Sequence, residues 1–96
     1  MKTEFTRRAR ADLLSIKSFL SERDPAAGVQ VLRRLRAAIE RLETFPELGA
    51  PWRDGPTRAL VVAGVPYRIH YLVRDDAIIV LTVMHTRRLP PEFQDI

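Results

Sequence analysis

The chain has 96 residues, of which 16 are Lys or Arg, 12 are Asp or Glu, and none is Cys. This length predicts one domain over residues 1–96. The lack of cysteine excludes disulfide bonds, cysteine-ligated zinc and thiol catalysis. Hydrophobic residues make up 46% and charged residues 29%, which is typical of a folded domain rather than a disordered segment. With two His and no Gly-rich phosphate loop, we expect neither a bound metal nor a cofactor.

Signals for a membrane or for export are not found in the sequence. No apolar run approaches the roughly 18 residues of a membrane span. The opening segment MKTEFTRRAR lacks the apolar stretch of a signal peptide. We therefore expect a cytoplasmic protein that does not bind membranes.

The net charge of +4 is carried mainly by arginine, since Lys2 and Lys17 are the only lysines. A guanidinium group stays charged and binds phosphate or carboxylate through two hydrogen bonds. The excess of arginine therefore indicates an anionic partner, either nucleic acid or an acidic protein segment. An arginine-rich solvated surface explains the composition equally well.

The first predicted elements are a short strand and a helix. Residues 2–5 alternate in polarity as a short strand does. Thr6 is typical of a helix N-cap, because its hydroxyl can accept a hydrogen bond from a free amide of the first turn. Apolar residues then recur at helical spacing up to Arg23 and form one apolar stripe, which consists of Ala9, Leu13, Ile16 and Leu20.

A second helix follows almost at once. Asp24 is a favourable N-cap, and Pro25 suits the first helical position, where an amide hydrogen would have no partner. The second apolar stripe consists of Leu32, Leu35, Ile39 and Leu42. Two amphipathic helices separated by so short a break predict an antiparallel hairpin over about residues 7–43.

A sheet is predicted beyond the Gly- and Pro-rich loop of residues 49–56, because β-branched residues dominate about residues 57–85. The strand candidates form an antiparallel meander and span residues 57–62, 67–73 and 77–84, with residues 89–96 as a tail. The predicted class is α+β: an N-terminal helical hairpin packed on a twisted antiparallel sheet, with residues 2–5 as a short edge strand. Trp52, in the loop, is either an exposed anchor or folds back over the hairpin.

Arginine and histidine side chains near the strands are the candidates for chemistry. Arg68 and His70 alternate with the apolar residues of their strand, so both are expected on the sheet face away from the helices. Four arginines can clamp a phosphate or the carboxylates of a partner, namely Arg58, Arg68, Arg87 and Arg88. His85 follows a buried strand, and it is either a general acid or base or a polar residue that marks the strand end.

Five segments in order resemble the ParE/RelE superfamily of bacterial toxins from type II toxin–antitoxin modules. They cover the chain from about Phe5 to Arg88 and read TRRARADLLSI, DPAAGVQVLRRLRAAIERL, TFPELG, TRALVVAGVPYRIHYLV and AIIVLTVMHTRR. The resemblance implies the fold of that superfamily, a helical hairpin packed on a twisted antiparallel sheet. This agrees with the class predicted from the pattern of apolar residues.

Two branches of the superfamily differ in their action. RelE-like toxins are ribosome-dependent endoribonucleases that cut mRNA, whereas ParE-like toxins inhibit DNA gyrase and are not enzymes. The segments TRALVV and PY, with the FPELG turn, look more like the ParE or plasmid-stabilisation branch. In a RelE-like nuclease, the resemblance would give Arg68 a phosphate-binding role and His85 a role in proton transfer. Such nucleases tend to carry a Tyr near the C-terminus, and this chain has no Tyr after Tyr71.

The preferred hypothesis is therefore a gyrase-inhibiting toxin that arrests growth and has no catalytic residues. A ribonuclease with Arg68 and His85 as catalytic residues is the alternative, and a non-toxic relative that binds an antitoxin is a third. The resemblance further implies a cognate antitoxin whose flexible segment folds on the toxin in a hetero-oligomer. The expected antitoxin contacts are Leu13, Ile16, Leu20, Leu35, Arg58 and Arg68. The expected contacts to the target are Arg87, Arg88 and Phe93.

Overall fold

Two helices form the predicted hairpin in the computed structural model of the protein, which describes residues 1–90. Helix α1 spans Arg7–Arg23 and helix α2 spans Pro25–Thr44. The Thr6 hydroxyl accepts a hydrogen bond from the Ala9 N–H at 3.0 Å and so caps α1. Asp24 ends one helix and begins the next, since its N–H donates to the Leu20 carbonyl and its carboxylate accepts from the Ala27 N–H. The predicted caps and the short break are confirmed.

Five strands form one sheet in the order β1-β5-β4-β3-β2. The strands are β1 Lys2–Phe5, β2 Ala50–Pro51, β3 Arg58–Val61, β4 Tyr67–Arg74 and β5 Ala77–His85. The β3–β4–β5 meander is antiparallel as predicted, and the predicted N-terminal edge strand is present. The sheet is nevertheless mixed, because β1 pairs with β5 in parallel. Strand β2 lies within the segment that was expected to be a loop.

Side chains of the α1 region continue the pairing of β5 where β1 ends. The Thr6 hydroxyl donates to the Leu81 carbonyl at 2.8 Å. The Asp12 carboxylate accepts hydrogen bonds from the Thr82 hydroxyl and, at 3.0 Å, from the Val83 N–H. A helix side chain thus takes the place of a strand backbone, which leaves these polar groups of β5 satisfied although no strand lies beside them.

The core lies between the hairpin and one face of the sheet. It is built from buried apolar side chains of α1, α2 and the meander, among them Ala9, Ile16, Leu35, Leu42, Ile69, Tyr71, Ile78, Val80 and Val83. Full burial of a Leu, Ile or Val side chain contributes roughly 1.5–3 kcal/mol. The apolar stripes of both helices therefore hold the hairpin on the sheet.

Neither helix is long and apolar enough to cross a membrane in the part of the chain that the structure describes. Within residues 1–90 there is also no group of three or more His, Cys, Asp or Glu side chains that could hold a metal ion.

Candidate functional site: a basic groove beside the first helix

A groove of about 390 Å³ lies between α1 and the adjoining ends of β4 and β5. We call it the basic groove. Its lining consists of Arg8, Asp12, Ser15, Ile16 and Phe19 from α1, Tyr67 from β4, Val83, Met84 and His85 from β5, and Arg87 and Arg88 from the turn that follows. The α1 residues recur at spacings of three and four, which places them on one face of the helix.

The basic groove combines a buried apolar lining with exposed cations. Ile16, Tyr67 and Val83 are buried, whereas Arg8, Arg87 and Arg88 are exposed. Among the described residues, Asp12 is the one carboxylate of the lining, and it already accepts two hydrogen bonds from β5. The chemistry of this surface therefore fits an anionic segment that also carries apolar side chains.

Arg68, whose side chain lies on the face of β4 opposite the core, holds the part of the groove wall that follows β5. The Arg68 Nη1 donates to the Thr86 carbonyl at 3.2 Å, and Nη2 donates to the Arg88 carbonyl at 2.6 Å. Arg68 is only 8% exposed, and its guanidinium carbon lies 4.9 Å from the centre of the Trp52 ring. Residues 86–88, which we call the terminal turn, are thus fixed by a buried arginine.

His70 completes this buried cluster. The Arg68 Nε–H donates to His70 Nε2 at 2.7 Å, which requires an imidazole that is neutral at Nε2. Trp52 meets the imidazole edge-on, with the ring centres 4.9 Å apart. Burial, followed by the charge of Arg68, lowers the pKa of His70 from 6.5 to about 4. We call Arg68, His70 and Trp52 the arginine cluster.

The position of Trp52 matches neither of the two alternatives considered from the sequence, an exposed anchor or a side chain folded over the hairpin. It is half-buried, and its ring contacts Arg68 and His70. These two residues alternate with the core residues of β4, so Trp52 covers the sheet face opposite the helices. It is therefore neither a fully exposed anchor nor a cover of the helical hairpin.

The four arginines that were expected to clamp an anion are not brought together. Arg87 and Arg88 line the basic groove, but Arg58 and Arg68 do not. Arg58 lies on β3, and its Nη1 donates to the Gly49 carbonyl at 2.7 Å. Arg58 and Arg68 thus each hold a turn of the main chain, one after α2 and the other after β5.

The apolar residues expected to contact an antitoxin lie beside α1 on two sides. Ile16 lines the basic groove. Leu13 and Leu35 line a second groove of about 250 Å³, which we call the hairpin groove. Leu20 is half-buried and packs against the core. The other residues that line the hairpin groove are Thr3, Phe5, Arg36, Ile39, Glu40 and Glu43.

The remaining predicted site residues are His85 and Phe93. His85 is half-buried at the end of β5, and its Nδ1 accepts a hydrogen bond from the Arg87 N–H at 3.2 Å. Its ring also meets Tyr67 edge-on at 5.8 Å. Phe93 lies outside the residues that the structure describes.

Sequence reasoning missed the contribution of α1 to the basic groove. Arg8, Asp12 and Ser15 lie outside the apolar stripe predicted for α1, but they line the groove beside the end of β5. Phe19 was not singled out, although half of its side chain is exposed at the groove. The signal was present, since Asp12 stands four residues after Arg8 and therefore on the same face of the helix.

The chain is similar in sequence to proteins described as toxins or putative toxins. It matches the family described as "ParE toxin of type II toxin-antitoxin system, parDE" over residues 3–90. It is 35% identical over 91 residues to a putative toxin, Y4kP, of Sinorhizobium fredii, covering 95% of this chain and 94% of that protein. It is 34% identical over 85 residues to toxin RelE2 of Caulobacter vibrioides, covering 88% of this chain and 94% of that protein.

Solved structures agree on the fold. The chain superposes on a chain of the chromosomal ParDE toxin–antitoxin system of P. aeruginosa with a TM-score of 0.78 and 20% identity, over 88% of this chain and 95% of that chain. The RelBE2 toxin–antitoxin complex of Mycobacterium tuberculosis gives a TM-score of 0.56 and 24% identity, over 88% and 95% of the two chains. From the match over residues 3–90, the chain belongs to the ParE toxin family of type II toxin–antitoxin systems.

Proposed function

We propose that the protein is a toxin that inhibits DNA gyrase and is neutralised by a cognate antitoxin, without being an enzyme. The observation that carries the choice of target is the burial of Arg68. A nuclease would need this guanidinium at the scissile phosphate, but its three nitrogens donate to His70, Thr86 and Arg88 within the protein.

The residues that line the basic groove support binding rather than RNA cleavage. Cleavage by a 2′-hydroxyl requires a base, an acid and a group that stabilises the developing charge, all at one place. Within residues 1–90, His85 is the only imidazole that lines this groove, and the Asp12 carboxylate is already bound by β5. The cations Arg8, Arg87 and Arg88 remain exposed for contact with a partner.

The antitoxin is proposed to follow α1 along its two grooves. An acidic, flexible segment fits the cations of the basic groove, and its apolar side chains fit the lining beside Ile16. Leu13 and Leu35 offer a second apolar contact in the hairpin groove. Leu20 and Arg58 extend the proposed contact area, whereas Arg68 is buried and acts on the partner only through the terminal turn. Ordering such a segment costs free energy, so both grooves are needed for tight binding.

The deciding experiment is a supercoiling and cleavage assay with purified gyrase, ATP and plasmid DNA. We expect the wild-type toxin to block supercoiling and to trap cleaved DNA, and the antitoxin to reverse both effects. The double variant Arg87→Ala/Arg88→Ala should need at least about tenfold more toxin for half inhibition. The matched control is Arg33→Ala/Arg41→Ala, which removes the same charge from exposed positions of α2 outside both grooves. An inactive wild-type toxin, or equal losses in the two double variants, contradicts the proposal.

A ribosome-dependent ribonuclease is the second candidate, because His85 lines the basic groove beside Arg87 and Arg88. It is tested by incubating the toxin with translating ribosomes and mapping the ends of the mRNA. Cleavage that is lost in His85→Ala, together with no effect on gyrase, would replace the gyrase proposal. A chain that binds antitoxin but affects neither target would be a non-toxic relative.

A further inference from the structure

The arginine cluster and the basic groove lie on opposite sides of the terminal turn. The carbonyls of Thr86 and Arg88 accept hydrogen bonds from Arg68, while the side chains of His85, Arg87 and Arg88 line the groove. One short piece of main chain therefore connects a buried guanidinium to the exposed cations of the groove.

The guanidinium is held in a fixed direction. Its Nε donates to His70 and its two Nη atoms donate to the turn, so all three nitrogens are in use. Because the group is planar, the bond to His70 also determines where the two Nη atoms point. Trp52 packs against the same group at 4.9 Å, so a rotation of Arg68 would disturb the ring as well.

The charge of Arg68 makes this arrangement cooperative. Arg68 is 8% exposed and forms no ion pair within residues 1–90. A buried charge is costly unless hydrogen-bond acceptors surround it. The acceptors are His70 Nε2 and the two carbonyls of the terminal turn, so the turn and the arginine stabilise each other.

The terminal turn has few other attachments. The Thr86 N–H donates to the Pro66 carbonyl at 3.0 Å, and the Arg88 N–H donates to the His85 carbonyl at 3.0 Å. The second of these bonds lies within the turn, so it persists only while the turn keeps its shape. The Arg87 N–H also bonds locally, to Nδ1 of His85 at 3.2 Å. Within residues 1–90, the two bonds from Arg68 and the one to Pro66 thus connect residues 86–88 to chain beyond the end of β5.

We propose that Arg68, oriented by His70 and Trp52, is a positioning residue that fixes the terminal turn and thereby holds Arg87 and Arg88 in the wall of the basic groove, where an acidic protein segment binds. The acidic partner is the antitoxin segment of the proposed function, and only its identity rests on that function. Arg68 itself does not touch the partner. It acts through the main chain of residues 86–88.

The test begins with hydrogen exchange of the full chain, for the wild type and for Arg68→Met. Methionine keeps the apolar volume beneath Trp52 but removes the three donors. We expect the Thr86 and Arg88 amides to exchange at least about tenfold faster, with the amides of the β4–β5 ladder unchanged. Equal exchange at both positions in variant and wild type would overturn the proposal.

Arg68→Lys is the second variant, and it keeps the result interpretable if Arg68→Met fails to fold. Lysine retains the charge, but its single ammonium group does not reproduce the planar fork that binds two carbonyls and His70. Exchange of the terminal turn should therefore be intermediate. Wild-type protection of the Thr86 and Arg88 amides in Arg68→Lys would contradict the role of the fork.

The second measurement is binding of a fluorescein-labelled decaglutamate peptide, followed by fluorescence anisotropy. Arg88→Ala removes a cation of the groove wall. Its loss of affinity for the peptide is the reference with which Arg68→Met is compared. We expect Arg68→Met to weaken binding by a similar factor of about ten and to reduce its salt dependence. The control Arg34→Met also removes one arginine and one bond to a carbonyl, that of Ala63, but lies outside the basic groove. It should weaken binding less than about twofold.

The outcomes separate the two proposals. If wild-type protein does not bind the peptide, or if Arg68→Met loosens the turn but binds normally, the positioning role is wrong. If both measurements succeed but gyrase is not inhibited, the proposed target is wrong, and the positioning of the groove wall is retained.

Discussion

Gly49 and Tyr71 lie so close together that no side chain fits between them. The Gly49 N–H donates to the Tyr71 hydroxyl at 2.9 Å, and a β-carbon at position 49 would lie 2.8 Å from that same hydroxyl. The hydroxyl in turn donates to the Pro46 carbonyl at 2.7 Å. Burial raises the pKa of Tyr71, because the ionised form would lose its contact with water. The turn after α2 is thereby fastened to the middle of the sheet.

The first prediction concerns this contact. Gly49→Ala should lower the free energy of unfolding by about 1–3 kcal/mol, because the added methyl group meets a buried ring and the Ala59 carbonyl. The measurement is urea denaturation followed by circular dichroism. Gly55→Ala is the matched control, since its β-carbon would have no heavy atom closer than 4.0 Å. Equal losses in the two variants would show that the close contact does not matter.

The second prediction is a pH dependence of stability that comes from His70. Burial and the charge of Arg68 lower the pKa of His70 in the folded protein to about 4, against 6.5 for an ordinary histidine. Between these values the unfolded chain binds more protons than the folded one, so the free energy of unfolding falls as pH falls. The decrease should set in as the pH approaches 6.5 and level off below about pH 4.

This dependence is checked by chemical denaturation at several pH values from 8 to 3. His70→Gln keeps an acceptor for Arg68 but does not titrate, so its stability should fall less steeply than that of the wild type. Other groups titrate in both proteins, and their effect cancels in the difference. His85→Gln is the control for loss of a histidine elsewhere. Parallel curves for the wild type and His70→Gln would refute the prediction.

The third prediction concerns the link between α1 and β5. Asp12→Ala should lower the free energy of unfolding by about 2–3 kcal/mol. The reason is that the Thr82 hydroxyl and the Val83 N–H, which are mostly buried, would lose their hydrogen-bond partner. Glu22→Ala, an acidic residue on the exposed surface of the same helix, should change stability by less than about 0.5 kcal/mol. Thermal unfolding of both variants measures the difference. A cost at Asp12 no larger than at Glu22 would mean that water replaces the carboxylate without penalty.

Much of the fold could be predicted from local patterns in the sequence. Thr6 and Asp24 are the caps that the sequence predicts, and the apolar stripes at Ile16 and Leu35 face the core. These signals lie within a few residues of the structure they specify. The parallel pairing of β1 with β5 has no such signal, because Phe5 and its partner Val80 are far apart along the chain.

The candidate site could be predicted from the sequence only in part, for the same reason. Arg87 and Arg88 were expected to face a partner, and they line the basic groove. Arg68 was expected on an open sheet face, since an arginine at an alternating strand position usually reaches solvent. Its burial depends on Trp52 and on carbonyls after β5, none of which is adjacent in sequence. Only the assembled fold shows that its donors point inward.

The position of β5 dictates the order in which the toxin can assemble during synthesis. This strand lies between β1 and β4, yet it is the last strand of the described chain. Strand β1 therefore has no pairing partner until β5 has been synthesised, since Lys2 pairs with Ala77. The helical hairpin and the β3–β4 pair can form earlier, because their contacts are local. The basic groove cannot, since β5 and the terminal turn are part of its wall. A nascent chain that has not yet produced β5 therefore lacks the basic groove, the surface proposed here to bind a target or an antitoxin.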